Sequence, residues 1–482
     1  MPKTASKKSL DVKATHKNEQ LQIVHEIFEL QQTAFKAAPY PSESLRKQQL
    51  KALKKSILKH KDKLLKATSA DFGCRSYDET LLADILPTIM GINHALKHLR
   101  QWMKTEKRKI DLLYQPAQGY VMYQPLGVVG IISPWNYPTF LSLGPMVAAL
   151  AAGNRVMLKP SEFSPYTNRI LKDIISEAFS KDEVYMIEGD ATVAQTFTSL
   201  PFDHLIYTGS TSIGRKVMEA AAKNLTPVTL ELGGKSPAIV APDIDPKFAV
   251  ERMIFGKCLN AGQTCVATDY VLCPEEKQDD LIAAFKTQFS NLYPDLENGQ
   301  YTSIINDTHF KRVSKWLKEA VDKGAKAIEL GKTASKNAMP LTLLTDVDPD
   351  STIMQEEIFG PILPIVTYKS IDEAIEFIQS RPRPLALYIF SFDKKVQDKI
   401  LKSTHAGGVC INETVYHVAQ DNLPFGGIGA SGIGHYHAKE GFITFSKAKS
   451  IFRKGRFNSG KFALPPYGKL IHKLIYRFYL KS

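Results

Sequence analysis

Residues 126–138 read LGVVGIISPWNYP, and this stretch decides the fold. A short β-branched run, Val128 to Ile132, gives way after Ser133 to a turn stiffened by Pro134 and Pro138. The same unit recurs in NRVMLKP (154–160), EVYMIEG (183–189) and HLIYTGS (204–210), each followed by a stretch with helical spacing. One of those helices opens at Ser164-Pro165, a cap residue followed by proline at the first helical position. Strands alternating with helices imply βαβ units and a parallel sheet covered on both faces. Nucleotides bind such sheets at the carboxyl ends of the strands, beside helix N-termini. A second alternation begins near VTLELGGKSPAIV (228–240) and runs to about residue 427, which predicts a second α/β unit.

Outward from this centre the chain changes character. Apolar residues recur at helical spacing in LQIVHEIFELQQTAF (21–35) and QQLKALKKSILKHKDKLL (48–65). In IDLLYQPAQGYVMYQPLG (110–127) two apolar, aromatic runs flank a Pro- and Gly-bearing turn, the signal of a hairpin suited to an oligomerisation arm. The expected plan is therefore α/β, with two open parallel-sheet domains and a small β-hairpin arm. Residues 19–108 and 125–233 are expected to form a Rossmann-like cofactor domain and 234–427 a second α/β domain, the catalytic one by the resemblance given below. Residues 109–124 and 428–452 supply arm and bridging elements, 1–18 a disordered basic lead, and 453–482 a basic amphipathic tail.

The formal net charge of +13 invites a nucleic-acid partner, but its distribution argues against one. Residues 451–482 hold eight basic side chains and no acidic one, and residues 1–20 carry a net +3, leaving a nearly balanced body. In YGKLIHKLIYRFYL, Leu470, Ile471, Leu474, Ile475, Phe478 and Tyr479 share one helical face flanked by Lys473, Arg477 and Lys481. That face suits packing on the body or a partner subunit; a gate or an interfacial membrane contact is the other reading. Five cysteines are too few and odd in number for a disulfide framework, which points to the cytoplasm. No Cys/His ligand spacing stands out, so no metal is expected.

Two loops match phosphate-binding patterns. GIGASG (427–432) fits GxGxxG but follows Leu423-Pro424-Phe425 rather than a strand, and reads as a glycine-rich turn. Gly209-Ser-Thr-Ser-Ile-Gly214 does follow a strand and open a helix, so its amides suit a pyrophosphate, though an ordinary helix cap looks similar. Cys265, in NAGQTCVATDY, sits among small and polar residues, as a nucleophilic thiol requires. A lone cysteine is more often structural. Glu231, at a strand end before two glycines, suits a general base or a plain surface carboxylate. Asn136, between two prolines, suits an oxyanion donor or a simple turn.

The motifs PWNYP, LKPSE, YTGSTSIG, LELGGKSP, GQTC, EEIFGP and PFGGIGASG resemble the aldehyde dehydrogenase superfamily in both order and spacing. The resemblance implies that Cys265 is the nucleophile, that Asn136 and the Cys265 amide form the oxyanion hole, and that Glu231 activates water. It assigns Lys159 and Glu162 to the adenosine ribose, and Gly209 and Ser210 to the pyrophosphate with Trp135 nearby. Glu357 and Phe359 fall to the nicotinamide ribose and ring. GIGHYHAKEGFITFSKAKS and the trailing LPPYGKLIHKLIYRF are similar to the class 3 and coniferyl-type branch. Ala438 and Thr268 depart from it, where Gly and Pro are usual.

The resemblance implies NAD, or NADP, as cofactor, a hydrophobic aromatic or medium-chain aldehyde as substrate, and a homodimer. Glu162, by its charge, favours NAD. Rival readings are a dehydrogenase that passes its thioester to coenzyme A, and a non-catalytic member of the fold. The presence of Asn136, Glu231 and Cys265 together disfavours both.

Overall fold

The computed structural model describes residues 4–480, whose strands, numbered along the chain, form three sheets. β1 (Glu106–Arg108), β2 (Ala117–Pro125) and β16 (Ser446–Lys454) make a small antiparallel sheet. β3 (Val128–Ile132), β4 (Arg155–Lys159), β5 (Val184–Met186), β6 (His204–Thr208) and β7 (Val228–Glu231) run parallel in the order β7-β6-β3-β4-β5. The two-residue β15 (Gly432–Ile433) lies antiparallel along β7. The third sheet, in the order β10-β11-β12-β9-β8-β13-β14, holds β8 (Pro237–Val240), β9 (Tyr270–Pro274) and β10 (Lys326–Glu329). It is completed by β11 (Thr342–Thr345), β12 (Ile362–Tyr368), β13 (Ala386–Phe390) and β14 (Gly408–Ile411), all parallel except the edge strand β10. Two open parallel sheets are thus present, as the alternation of strand and helix predicts.

β3, β6, β9 and β13 are buried along their whole length. That is why they read as continuous apolar runs rather than alternating ones. Helices cover them. The helix Thr4–Ala37 lays Val24, Ile27 and Phe28 into the core behind the first sheet, and the Gln31 amide donates to the carbonyls of Val156 and Lys181. The reading of residues 1–18 as a disordered basic lead overlaps the start of this helix. Nothing between Thr4 and Ala37 is Gly or Pro, so no residue type breaks the helix. Residues 1–3 lie outside the described residues.

The helix Pro165–Ala178 begins where expected, but Ser164 does not cap it. Asp71, at the end of the helix Glu43–Phe72, accepts instead from the amides of Tyr166 and Thr167 at 2.9 and 2.8 Å, so one helix caps another.

The hairpin also differs from expectation. Leu112–Tyr114 forms a 3-10 turn, and the partner of β2 on that side is the polar Glu106–Arg108. The long partner is β16, which pairs with all nine residues of β2 from Pro125 to Ala117. Strand propensity alone does not order Leu112 to Tyr114, which stay exposed with no sheet face to cover.

The helix Leu470–Tyr479 forms, yet Leu470, Leu474 and Phe478 remain more than half exposed. Ile471 and Ile475 of the same face are partly buried. Lys481 lies outside the described residues. Among the described residues no helix is long and apolar enough to cross a membrane, and all five cysteines are free thiols.

Candidate active site

Neighbouring strands of the first sheet end one after another in candidate residues. Glu231 is the last residue of β7, Gly209 and Ser210 follow β6, Trp135 and Asn136 follow β3, and Lys159 closes β4. Strands lie about 4.8 Å apart, so a parallel sheet gathers positions far apart in sequence into one row at its carboxyl edge. The second sheet faces that row with its amino ends. Gly233 to Lys235 precede β8, Cys265 precedes β9, Glu357 and Phe359 precede β12, and Arg381 and Arg383 precede β13. A cavity of about 590 Å³ lies between the two sets of loops. Cys265, Asn136, Glu231, Trp135, Gly209, Ser210, Glu357 and Phe359 all line it. Lys159 and Glu162 do not; they form an ion pair at 3.1 Å on the adjacent strand end.

A left-handed turn presents Cys265. Asn260, Ala261 and Gly262 have φ of +53°, +51° and +73°, which costs a non-glycine residue about 1 kcal/mol each. Side-chain bonds offset that cost. Asn260 Nδ2 donates to the carbonyls of Asn136 and Gln263, both at 3.1 Å. Gln263 Nε2 donates to the carbonyls of Asn260 and Ser303, and its Oε1 accepts from the Ile305 amide at 3.0 Å. Cys265 is half-buried. Burial, followed by the carboxylates of Glu357 and Glu231, pushes its thiol up to about 12.

Asn136 is buried, and its Nδ2 donates to the Gln263 carbonyl at 3.1 Å. An amide nitrogen carries two hydrogens, so one remains for a ligand oxygen. The Glu231 carboxylate is 3 % exposed, and neither oxygen has a hydrogen-bond partner. Burial raises its pKa well above the ordinary carboxylate value, which makes it a strong proton acceptor once ionised. Glu357 is pushed up to about 8 by burial and then by Asp269, against the Gly234 amide, Lys235 and Arg312. A Cβ at Gly233 would collide with its carboxylate, so the glycine makes room for it.

The helix Thr211–Ala222 points its N-terminus into the cavity, with no side chain capping it and Arg215 beside it. Open first-turn amides and a guanidinium suit a pyrophosphate. Phe359 sets its ring edge-on to Trp135 at 5.3 Å. GIGASG forms the tight turn that carries β15, whose Gly432 pairs with Glu231. Tyr137, next to Asn136, packs in the wall: its hydroxyl is 2.6 Å from Thr264 Oγ1 and it does not line the cavity.

Sequence reasoning missed His309, Arg312, Arg381 and Arg383, which line the cavity from stretches that carry no motif. Among the described residues no group of three or more His, Cys, Asp or Glu is placed to hold a metal ion.

Comparison with known proteins agrees with this geometry. The Aldehyde dehydrogenase family profile matches residues 5–451. The chain is 51% identical over 456 residues to the "Probable coniferyl aldehyde dehydrogenase" of Pseudomonas aeruginosa, covering 94% of this chain and 96% of that one. It is 42% identical to "Aldehyde dehydrogenase family 3 member A2" of Rattus norvegicus, covering 85% of this chain and 84% of that one. The solved structure "Substrate bound state of Staphylococcus Aureus AldH" superposes with a TM-score of 0.91 at 41% identity, covering 95% of this chain and 99% of that chain. With seven motifs in order, a cavity built from both sheets and likeness along nearly its whole length, the chain belongs to the aldehyde dehydrogenase family, in the branch of the class 3 and coniferyl-type enzymes.

Proposed function

We propose that Cys265, Asn136 and Glu231 carry out NAD(P)-dependent oxidation of a hydrophobic aldehyde to its carboxylic acid. The observation that carries this reading is their shared cavity: a thiol, an amide with a spare N–H and an unpaired carboxylate, brought together from three loops.

As thiolate, Cys265 bonds to the carbonyl carbon, and the oxyanion that forms is held by Asn136 Nδ2 and the Cys265 amide. Collapse of that oxyanion expels hydride from the carbon and leaves a thioester on Cys265. A nicotinamide dinucleotide held in the cavity would supply the hydride acceptor, and its cationic ring would favour the thiolate. Glu231, ionised, then takes a proton from water as its oxygen attacks the thioester. The C–S bond breaks, the acid leaves, and the thiolate is restored.

The cavity suits that cofactor. Gly209, Ser210 and the open helix end would hold the pyrophosphate with Trp135 nearby, Glu357 the nicotinamide ribose and Phe359 its ring. Lys159 and Glu162 would hold the adenosine ribose, and the half-exposed Glu162 carboxylate repels a 2′-phosphate, which favours NAD. Leu141, Trp135 and Phe359 give the cavity apolar walls. The coniferyl name of the Pseudomonas aeruginosa relative agrees with aromatic aldehydes, and the apolar wall accommodates medium-chain aliphatic ones as well.

Free thiols throughout fit a reducing cytoplasm. The small sheet and the exposed face of Leu470–Tyr479 support a homodimer, which sedimentation at micromolar concentration checks; a monomer there removes it.

The test is NADH formation with aromatic and aliphatic aldehydes, and with products separated as free acid or coenzyme A thioester. Turnover to free acid that disappears in Cys265→Ala is expected. Undiminished turnover in that variant overturns the assignment.

A further inference from the structure

Outside the cavity, a buried guanidinium touches the Asn136 loop from its backbone side. Arg75 is 1 % exposed and does not line the cavity. Its Nη1 donates to the Asn136 carbonyl at 2.8 Å, and its Nε lies 3.2 Å from Glu79 Oε1. That carboxylate in turn accepts from Thr302 Oγ1 at 3.0 Å. The guanidinium sits over two rings, Phe72 at 5.1 Å and Tyr137 at 4.9 Å. Tyr137 reaches Thr264, the residue before Cys265, through its hydroxyl. Asn260 Nδ2 donates to the same Asn136 carbonyl that Arg75 holds. One side chain therefore contacts both the backbone that carries the amide donor and the ring braced on the thiol loop.

We propose that Arg75 is a positioning residue that fixes the Asn136 amide relative to Cys265 during turnover. The proposal rests on the reading above of Asn136 as the oxyanion donor. Stability alone explains Arg75 poorly. A buried ion pair seldom contributes more than apolar residues of similar size, because both ions lose their hydration. An apolar side chain, however, cannot donate to the Asn136 carbonyl. Lysine, a point charge, cannot donate to the carbonyl and pair with Glu79 at once, whereas the planar guanidinium donates to the carbonyl through Nη1 and keeps Nε in an ion pair with Glu79. The pair also accounts for Glu79, a carboxylate for which the sequence offers no role. Without Arg75 the carbonyl keeps only the Asn260 bond, and the Asn136 side chain gains freedom of the size that degrades a preorganised donor.

Two reactions of Cys265 separate positioning from general damage. Alkylation by iodoacetamide forms a C–S bond with loss of iodide and develops no oxyanion. Acylation by p-nitrophenyl acetate forms the acetyl thioester, releases p-nitrophenolate and passes through a tetrahedral oxyanion. In folded Arg75→Lys, acylation is expected to fall about ten- to hundredfold while alkylation changes by less than about twofold. In an Asn136→Ala background, where no amide is left to position, Arg75→Lys is expected to change acylation by less than about twofold. Glu79→Gln loosens Arg75 without emptying its site, and gives a smaller loss with the same selectivity.

If neither Arg75→Lys nor Glu79→Gln separates acylation from alkylation, the proposal is overturned. An equal loss from Arg75→Lys with and without Asn136 overturns it as well. If Asn136→Ala alone leaves acylation intact, the oxyanion assignment itself fails, which is a separate result.

Discussion

Replacing Gly262 by alanine tests how the thiol is presented. Gly262 has φ of +73°, and a Cβ built there lies 2.4 Å from the Gly360 carbonyl oxygen and 3.1 Å from that of Lys257. Both obstacles are backbone atoms, so no rotamer change relieves the contact. Alanine in a left-handed conformation costs about 1 kcal/mol, and forcing a methyl into a filled site costs about 1–3 kcal/mol more. The sum, about 2–4 kcal/mol, corresponds to a fall in Tm of roughly 5–10 °C for a domain of this size. Relief must move the 260–265 turn, which also carries the Gln263 carbonyl bonded to Asn136. A displacement of about 1 Å at the reacting atoms lowers kcat roughly hundredfold. Calorimetry and NADH progress curves on the same preparation read both effects. Wild-type Tm together with wild-type kcat refutes the steric reasoning. A lowered Tm with intact kcat refutes the link between this turn and the position of the thiol.

Three other outcomes follow from the charges of the site. Without dinucleotide, the iodoacetamide rate at Cys265 should keep climbing past pH 9, about tenfold per unit, because the thiol titrates near 12; a plateau at pH 8–9 contradicts this. Glu357→Gln removes the larger of the two carboxylate fields on that thiol, so its pKa falls and alkylation at pH 8 accelerates; an unchanged or slower rate counts against the arrangement. Glu162→Gln should raise the NADP to NAD ratio of kcat/KM about two- to fivefold, as expected for one partly exposed charge, and an unmoved ratio removes Glu162 from coenzyme choice.

Much of the scaffold is legible in the residues. Val128–Ile132, Arg155–Lys159 and His204–Thr208 announce themselves as strands because buried parallel strands are apolar without interruption, and the candidate side chains stand at their ends. What the chain conceals depends on contacts between distant segments. Cys265, Glu357 and Arg381 reach the cavity because the second sheet turns its amino ends toward the carboxyl ends of the first. That orientation is a property of domain packing, and no local pattern encodes it. β2 finds its long partner in β16, hundreds of residues later, so a local hairpin signal pointed to the wrong run. Asp71 caps the helix at Pro165 from another helix, where Ser164 looked sufficient. Arg75 and Glu79 stay hidden for the same reason, since Thr302 and Asn136 lie far away in sequence. The exposed face of Leu470–Tyr479 shows the converse: amphipathic spacing reveals a face, but not what covers it.

In the proposed reaction Cys265 and Glu231 act in succession on one carbonyl carbon. Mixing Glu231→Gln with NAD and benzaldehyde, then measuring the intact mass and the modified peptide, tests it most directly. The predicted result is a stoichiometric burst of NADH that stops, with a benzoyl group on Cys265. Continued wild-type turnover, or an acyl group on any other residue, contradicts it.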